Sequence, residues 1–486
     1  MTRTKRLLPA RSFAAHAVAS PTLALASATA LAAALAAAPT ARADEATAPP
    51  PPTRGAEVEI SRPVILGLPQ ILELTDRNHP QIAAARARLL GARAQLDEAH
   101  TAPFSQFKLT GGLALAPVIF GNNVFSPNTD VSLTSSLGLA WRAGIDGVLP
   151  LWTFGKIDNL WAAADANVKL HEATIEKERD AVRVEARRAF FGLELARDAR
   201  LLLKDVRAAL AAAESKMKEQ IDKDEGDPVD LLKLQTYAAE LDVREAEADR
   251  YVASALAGLR FFTGVPAMDI PDAPLKPPRH ELGHVTRYLE AARLYRPEVS
   301  MARAGLQART AQVQLARAGL FPDIGLGLQV GVSAAPAIAD QINPYVVDPG
   351  NYFHYGAALV FQWKLDLLPQ SARIRFAEAE LEEVRAQQRL ALGGVGAEVE
   401  IAYAEVVDWK RRVLAYERAV STAKRWLVTV QQGIDVGTIA EKEMLEPAKA
   451  YAQNRFSALS AVMELDMAMA RLAKATGWDA IAPDGT

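Results

Sequence analysis

Apolar positions recur along this chain with two different periods, and the chain switches between them twice. Leu68 to Asn78 and Pro80 to His100 are predicted to form two short helices. The second opens at an X-Pro step and is rich in alanine and arginine, both good helix formers. After Pro103 the period falls to two. Phe107, Leu109, Gly111, Leu113 and Leu115 alternate with Gln106, Lys108, Thr110, Gly112 and Ala114. A second strand sets Val131, Leu133, Leu137, Leu139 and Trp141 against Ser132, Thr134, Ser136, Gly138 and Arg142. The helical period then returns from Ile157 to Ile221, with Gly192 as its one strong breaker.

The second pass has the same order. Helices are predicted over Leu282–Tyr295 and Pro297–Ala318. One strand then places Ile324, Leu326, Leu328, Val330 and Val332 on a single face. Its partner does the same with Tyr355, Ala357, Leu359, Phe361, Trp363 and Leu365, and a helix follows from Ser371 to Gln432. The two passes share local sequence as well. His79-Pro80-Gln81-Ile82-Ala83-Ala84 returns as Arg296-Pro297-Glu298-Val299-Ser300-Met301, and Thr263-Gly264-Val265 as Thr476-Gly477-Trp478. An internal repeat on this scale predicts a duplicated unit arranged around an axis.

Four strands of about 10 residues, each with one apolar and one small or polar face, match the pattern of transmembrane β-strands. An ordinary half-buried sheet alternates equally well. Two features favour the membrane reading: polar loops at the strand tips, Gly121 to Asp130 and Asp340 to Asn351, and a secretory leader. Trp141, Trp152, Phe154, Phe361 and Trp363 fall near strand ends, where an aromatic girdle sits. Four strands cannot close a barrel, which needs about eight. Unpaired edges in lipid cost several kcal/mol per backbone group, so several chains must pool their strands.

The helices that follow the strands are very long. At 1.5 Å per residue, Ile157 to Ile221 spans roughly 100 Å. In the second copy Val399, Ala402, Val406, Trp409, Val413, Tyr416, Val420, Ala423, Leu427 and Val430 alternate four- and three-residue steps, which is a coiled-coil seam. The first copy carries Arg200, Arg207 and Glu214 at the equivalent apolar places. Gly393, Gly394 and Gly396 predict a bend or loosened packing in the second helix. Each long helix turns back, through Asp222–Pro228 or Asp435–Ile439, into a returning helix over Val229–Phe262 or Ala440–Thr476.

Composition narrows the class. The 486 residues are half hydrophobic, carry a net charge of −3 and include no cysteine. Disulfides, thiolate metal sites, cysteine nucleophiles and a lipidated cysteine anchor are therefore excluded. The charge gives no reason to expect a nucleic-acid partner. Arg3, Lys5, Arg6 and Arg11 precede an alanine-rich apolar stretch and the A-x-A site Ala41-Arg42-Ala43. Residues 1–43 are expected to be a signal peptide. The expected divisions are then a Pro-rich lead-in over 44–67, a first repeat over 68–281, a second over 282–478 and a short tail over 479–486.

These residues resemble the outer-membrane efflux proteins, the TolC-like channels. The resemblance rests on the helix openings at His79–Ala87 and Arg296–Ala304, the helix-to-strand junction Leu320–Leu328 and the strand-to-helix junction Val148–Lys156. The hairpin tip Ile434–Leu445 completes it. It implies a mixed α+β membrane protein, a TolC-like duplicated unit. Trimerisation completes a transmembrane β-barrel of about 12 strands, and the helices form a long periplasmic α-helical coiled-coil barrel. A homotrimer in outer-membrane lipid, a periplasmic adaptor and an inner-membrane pump are the implied partners. The implied role is a passive exit channel of a tripartite efflux or type I secretion system, without catalysis or cofactor. The hairpin tips form the implied periplasmic entrance, with Val436, Gly437 and Thr438 as the adaptor-docking motif.

The first tip departs from that motif, because it is acidic. Three copies of Asp222, Asp224, Glu225 and Asp227 around a narrow mouth would attract cations and repel anions, whereas a lone turn would be plain solvated surface. It does not fit a calcium loop: Gly226 and Lys233 stand where acidic ligands belong. His280-Glu281-Leu282-Gly283-His284 matches the H-E-x-x-H of zinc proteases, but it follows Pro274, Pro277 and Pro278 in a connector. Met463, Met467 and Met469 are read as core packing. The alternative overall reading is a periplasmic coiled-coil scaffold or adaptor without a pore.

Overall fold

The computed structural model describes residues 63–120, 132–223, 227–336 and 350–477. The expected signal peptide, most of the lead-in, both strand-tip loops except Gly350 and Asn351, Asp224 and Glu225 of the acidic tip, Trp478 and the C-terminal tail lie outside these residues. In chain order the first half contains β1 (Val64–Ile65), α1 (Leu68–Asn78), α2 (Pro80–Thr101), β2 (Phe107–Phe120), β3 (Ser132–Trp152), α3 (Lys156–Asp222), α4 (Pro228–Thr263) and β4 (Met268–Asp269). The second half contains α5 (Val285–Tyr295), α6 (Pro297–Ala318), β5 (Asp323–Ala334), β6 (Tyr352–Gln362), α7 (Leu367–Asp435) and α8 (Leu445–Thr476).

The chain divides into two compact units. One includes Lys108–Asp146 and Gln329–Gly356; the other includes Gly147–Leu328 and Ala357 onward, together with Val58–Phe107. The four long strands form one sheet in the order β2-β3-β5-β6. Within the first unit, Leu109, Leu113, Leu115, Leu137 and Leu139 are exposed, as are Phe353 and Tyr355 of β6. The apolar side of the alternation is therefore left uncovered by this chain. β3 is about twice the expected strand length, at 21 residues. Its extension passes Gly147, where a Cβ would stand 2.3 Å from the Phe107 ring. A bare backbone is what lets β3 continue there, through residues that read locally as breakers.

The second unit is helical apart from the strand bases and the short parallel pair β1–β4. That pair draws the end of the lead-in into the fold, with Leu66 N–H donating to Asp269 O at 2.8 Å. The repeated X-Pro openings are alike in backbone. His79 and Arg296 are both extended, as the proline after each requires. Their side chains differ. His79 caps α2 by accepting from Gln81 N–H at 3.3 Å and stacks on Phe262. Arg296 donates to Glu298 at 3.0 Å, to Glu398 and to the Ala475 carbonyl at 3.4 Å.

The two returning helices both end on a left-handed glycine, Gly264 at φ +71° and Gly477 at φ +66°. Gly477 is also hemmed in, since a Cβ there would lie 2.6 Å from Tyr295 O. α7 is continuous through Gly393, Gly394 and Gly396, and the expected loosening takes the form of open space: nothing lies within 4 Å of where their Cβ atoms would be. α5 begins three residues later than expected because His284 caps it, accepting from Thr286 N–H. α8 begins at Leu445, after a 3-10 turn over Glu441–Met444. Pro447 explains the late start, because it lacks an N–H and is tolerated only in a helix's first turn.

The seams of the two hairpins are built differently. On α7, Val399 and Val406 are fully buried, and Ala402, Val413, Ala423 and Val430 are nearly so. Trp409 and Tyr416 pack against the same core, opposite Val462, Leu465 and Ala468 of α8. On α3 the charged seam positions reach across to α4 instead. Arg207 pairs with Asp242 and with Glu245 (2.6 Å), Arg200 with Asp249 (3.2 Å), and Glu214 accepts from Gln235 (3.3 Å).

Candidate functional site

Two regions of the second unit carry the residues singled out by sequence: the feet of the hairpins and the bases of the strands. At the first tip α3 ends on Asp222 and α4 begins after Asp227, whose carboxylate accepts from Val229 N–H at 2.9 Å. Asp227 is thus a helix cap, followed by Pro228 at the favoured first position. One turn on, Asp230 accepts from Lys233 at 2.8 Å, and that bond holds its carboxyl below its ordinary range.

The second tip is a tight backbone turn. α7 ends at Asp435; Gly437 adopts φ +80°, donates to Ile434 O at 2.9 Å, and lets Thr438 N–H reach Gly433 O at 2.8 Å. A side chain at 437 would strain this return. Val436 is left projecting, 77% exposed. The Val-Gly-Thr motif therefore presents one exposed apolar side chain on a tight, hydrogen-bonded turn.

Sequence reasoning missed a link between the two feet. Lys216 of α3 is ion-paired with Glu441 in the 3-10 turn before α8, and Gln220 donates to the same carboxylate at 3.1 Å. The Glu441 bond raises the Lys216 ammonium above its ordinary value. Above it lies a cleft of about 850 Å³, lined by Leu201, Leu210, Met217, Leu234, Tyr237 and Leu445. No local sequence signal marks this pairing, because its members lie in different repeats.

The other candidates have structural duties. His284 caps α5, and His280 Nε2 lies 3.5 Å from the Tyr288 hydroxyl. Among the described residues no group of three His, Asp or Glu side chains could hold a metal. Met467 is fully buried, and Met463 and Met469 pack against the same core.

At the strand bases, Trp152 meets Phe154 edge-on at 6.1 Å, Phe154 stacks on Phe321 at 5.3 Å, and Phe361 meets Trp363 edge-on at 6.5 Å. Trp363 Nε1 donates to Leu320 O at 3.0 Å while the ring stays half-exposed. A ring with a satisfied N–H and an exposed apolar face suits a lipid–water boundary. Among the described residues no helix is long and apolar enough to cross a membrane.

Residues 288–478 match the family of outer membrane efflux proteins. Protein CyaE of Bordetella pertussis is 33% identical over 181 residues, which cover 36% of this chain and 37% of that protein; the match thus spans little more than a third of that relative. The fold is shared far more widely. The CmeC outer membrane channel of Campylobacter jejuni superposes with a TM-score of 0.68 at 16% identity, over 84% of this chain and 85% of that one. The Neisseria gonorrhoeae MtrE outer membrane channel, in its open state, gives 0.69 at 16% identity over 84% and 88%. The outer-membrane channel OprN gives 0.69 at 18% identity over 88% and 97%.

Proposed function

Since the chain carries an outer membrane efflux protein domain over residues 288–478 and the TolC-like channel fold over most of its length, we propose that it is a passive outer-membrane exit channel. In this reading it serves a tripartite efflux or type I secretion system and extends into the periplasm. The observation that carries the proposal is the four-stranded sheet with β2 and β6 at its edges and its apolar side chains left exposed. Such a sheet is unstable alone in lipid, and pairing edge to edge with two further copies closes a barrel of about 12 strands without free edges. The chain does no chemistry in this role. It provides a bore, and the energy for transport comes from an inner-membrane pump reached through a periplasmic adaptor.

The tips supply the entrance. Val436, Gly437 and Thr438 dock the adaptor, and Asp222, Asp224, Glu225 and Asp227 ring the mouth with carboxylates. A cation arriving there is attracted and an anion repelled. Reconstitution into planar bilayers tests the reading: the purified protein should run as a heat-modifiable trimer and give discrete conductance steps. A monomer, or a protein that inserts without conducting, would leave the pore-free scaffold as the better account.

A further inference from the structure

The long helix of the first repeat and the returning helix of the second pack antiparallel. Lys216 meets Glu441 near one end of this contact, and Gly192 meets Met463 further along. A Cβ on Gly192 would sit 3.9 Å from Met463 Cε, so the absent side chain lets α3 and α8 come close. On either side of this approach each helix contributes a carboxylate, Glu194 from α3 and Asp466 from α8, and their neighbours Leu195 and Leu465 pack in one apolar cluster. Asp466 is only 8% exposed and is flanked by the core residues Leu465 and Met467. Neither carboxylate makes a hydrogen bond to any described residue.

Among the described residues, the cations nearest them are engaged with other groups. Arg197, one turn on from Glu194, is held by Asp269 and the Ile270 carbonyl. Asp198 adds a further negative charge and accepts from Leu275 N–H at 2.9 Å. Arg471, on α8, donates to Glu405 of α7 at 2.9 Å and lies 3.7 Å from Glu464. Arg187 and Asp180, buried further back on α3, have partners of their own. α4 faces this level of α3 with Ala255 and Leu256, and α5 and α7 bring the phenol rings of Tyr288 and Tyr403.

We propose that Glu194 and Asp466 form a proton-operated clasp between the two repeats: with a proton bound the helices close, and without it two unneutralised carboxylates push them apart. Burial, then Asp198, raises the Glu194 carboxyl to about 7, against a smaller opposing pull from Arg197. Burial, then Glu194, raises Asp466 to about 7. The Glu194 charge acts on Asp466, so the two carboxyls lose their protons in linked steps. Both bind protons more tightly folded than unfolded. The packing is therefore firmest below the ordinary carboxylate range, near about 4, and weakens as pH climbs through about 7. The clasp rests on helix packing and is independent of whether the chain conducts.

Hydrogen exchange on the full-length protein in detergent, followed over residues 190–198 and 462–470, tests it. Between about pH 5.5 and about pH 8, after correction for intrinsic exchange, protection in both segments should fall about tenfold, the equivalent of one pKa unit. Asp466→Asn should shrink that fall and the double variant Glu194→Gln, Asp466→Asn should abolish it, whereas Glu464→Gln, which alters a neighbouring carboxylate beside Arg471, should keep it. Protection that ignores pH in the wild-type protein, or an Asp466→Asn protein that responds like wild type, would overturn the clasp. Should Asp466→Asn not fold, carboxyl carbon NMR of the wild-type protein decides: two carboxyls titrating near neutrality support it, and none overturns it.

Discussion

Lys216 and Glu441 belong to different repeats, yet they form an ion pair at the feet of the two hairpins. The Lys216 side chain is well exposed, so the pair is screened by salt and adds little to stability. It links the end of α3 to the turn before α8, beside the apolar contact that Leu445 makes with Leu210, Met217 and Leu234. Glu441→Gln should leave the melting temperature nearly unchanged and raise single-channel conductance in dilute salt. The difference from wild type should shrink as ionic strength rises. Equal currents in dilute salt would show that the tie does not restrain the mouth.

Neutralising Asp222, Asp224 and Asp227 together to asparagine removes the fixed charge proposed for the entrance. Conductance should rise or cation preference should fall, as read from reversal potentials in a salt gradient. Asp227 also caps α4, and asparagine caps equally well, so the helix should survive. Unchanged reversal potentials and currents would make the first tip solvated surface.

The two left-handed glycines predict unequal damage from the same change. Gly264→Ala meets strain but finds its nearest neighbour, Asn78 Cβ, at 3.4 Å. Gly477→Ala meets strain and also drives a methyl to within 2.6 Å of Tyr295 O. The first should cost about 1 kcal/mol and the second clearly more, measured by denaturant unfolding.

The unequal seams predict a contrast too. Val406→Ala removes two methyls from a fully buried position and should cost about 2 kcal/mol. Arg207→Ala removes a salt-exposed link to Asp242 and Glu245 and should cost far less, with its effect erased by added salt. Thermal melts of both variants at low and high salt check this.

Much of the fold was readable from local pattern. Alternation at Phe107–Leu115 and Tyr355–Trp363 marked two strands, and the heptads from Val399 to Val430 marked a seam in which Val399, Val406, Val413 and Val430 are buried and Val420 is half-buried. What escaped had no local signature. Val64–Ile65 is a strand only because Met268–Asp269 lies beside it. β3 outran its expected length because Gly147 and Pro150 look like breakers until Phe107 is seen to need the space. Lys216, Glu441, Glu194 and Asp466 each read as an ordinary charge on a helix surface. Their pairings depend on how two repeats pack, which no single window of sequence contains.

The ion pairs of the α3–α4 hairpin have a mechanical consequence. Both hairpins close on apolar side chains, Leu210 and Met217 against Leu234 and Leu241 in the first and the α7 valines against α8 in the second, but among the described residues only the first adds a ladder of exposed ion pairs that dissolved ions screen. In a ring of three such chains, salt-sensitive and salt-insensitive hairpins would alternate. Dilation would then be led by the salt-sensitive staves, and the ionic strength of the surrounding fluid would set how readily it begins.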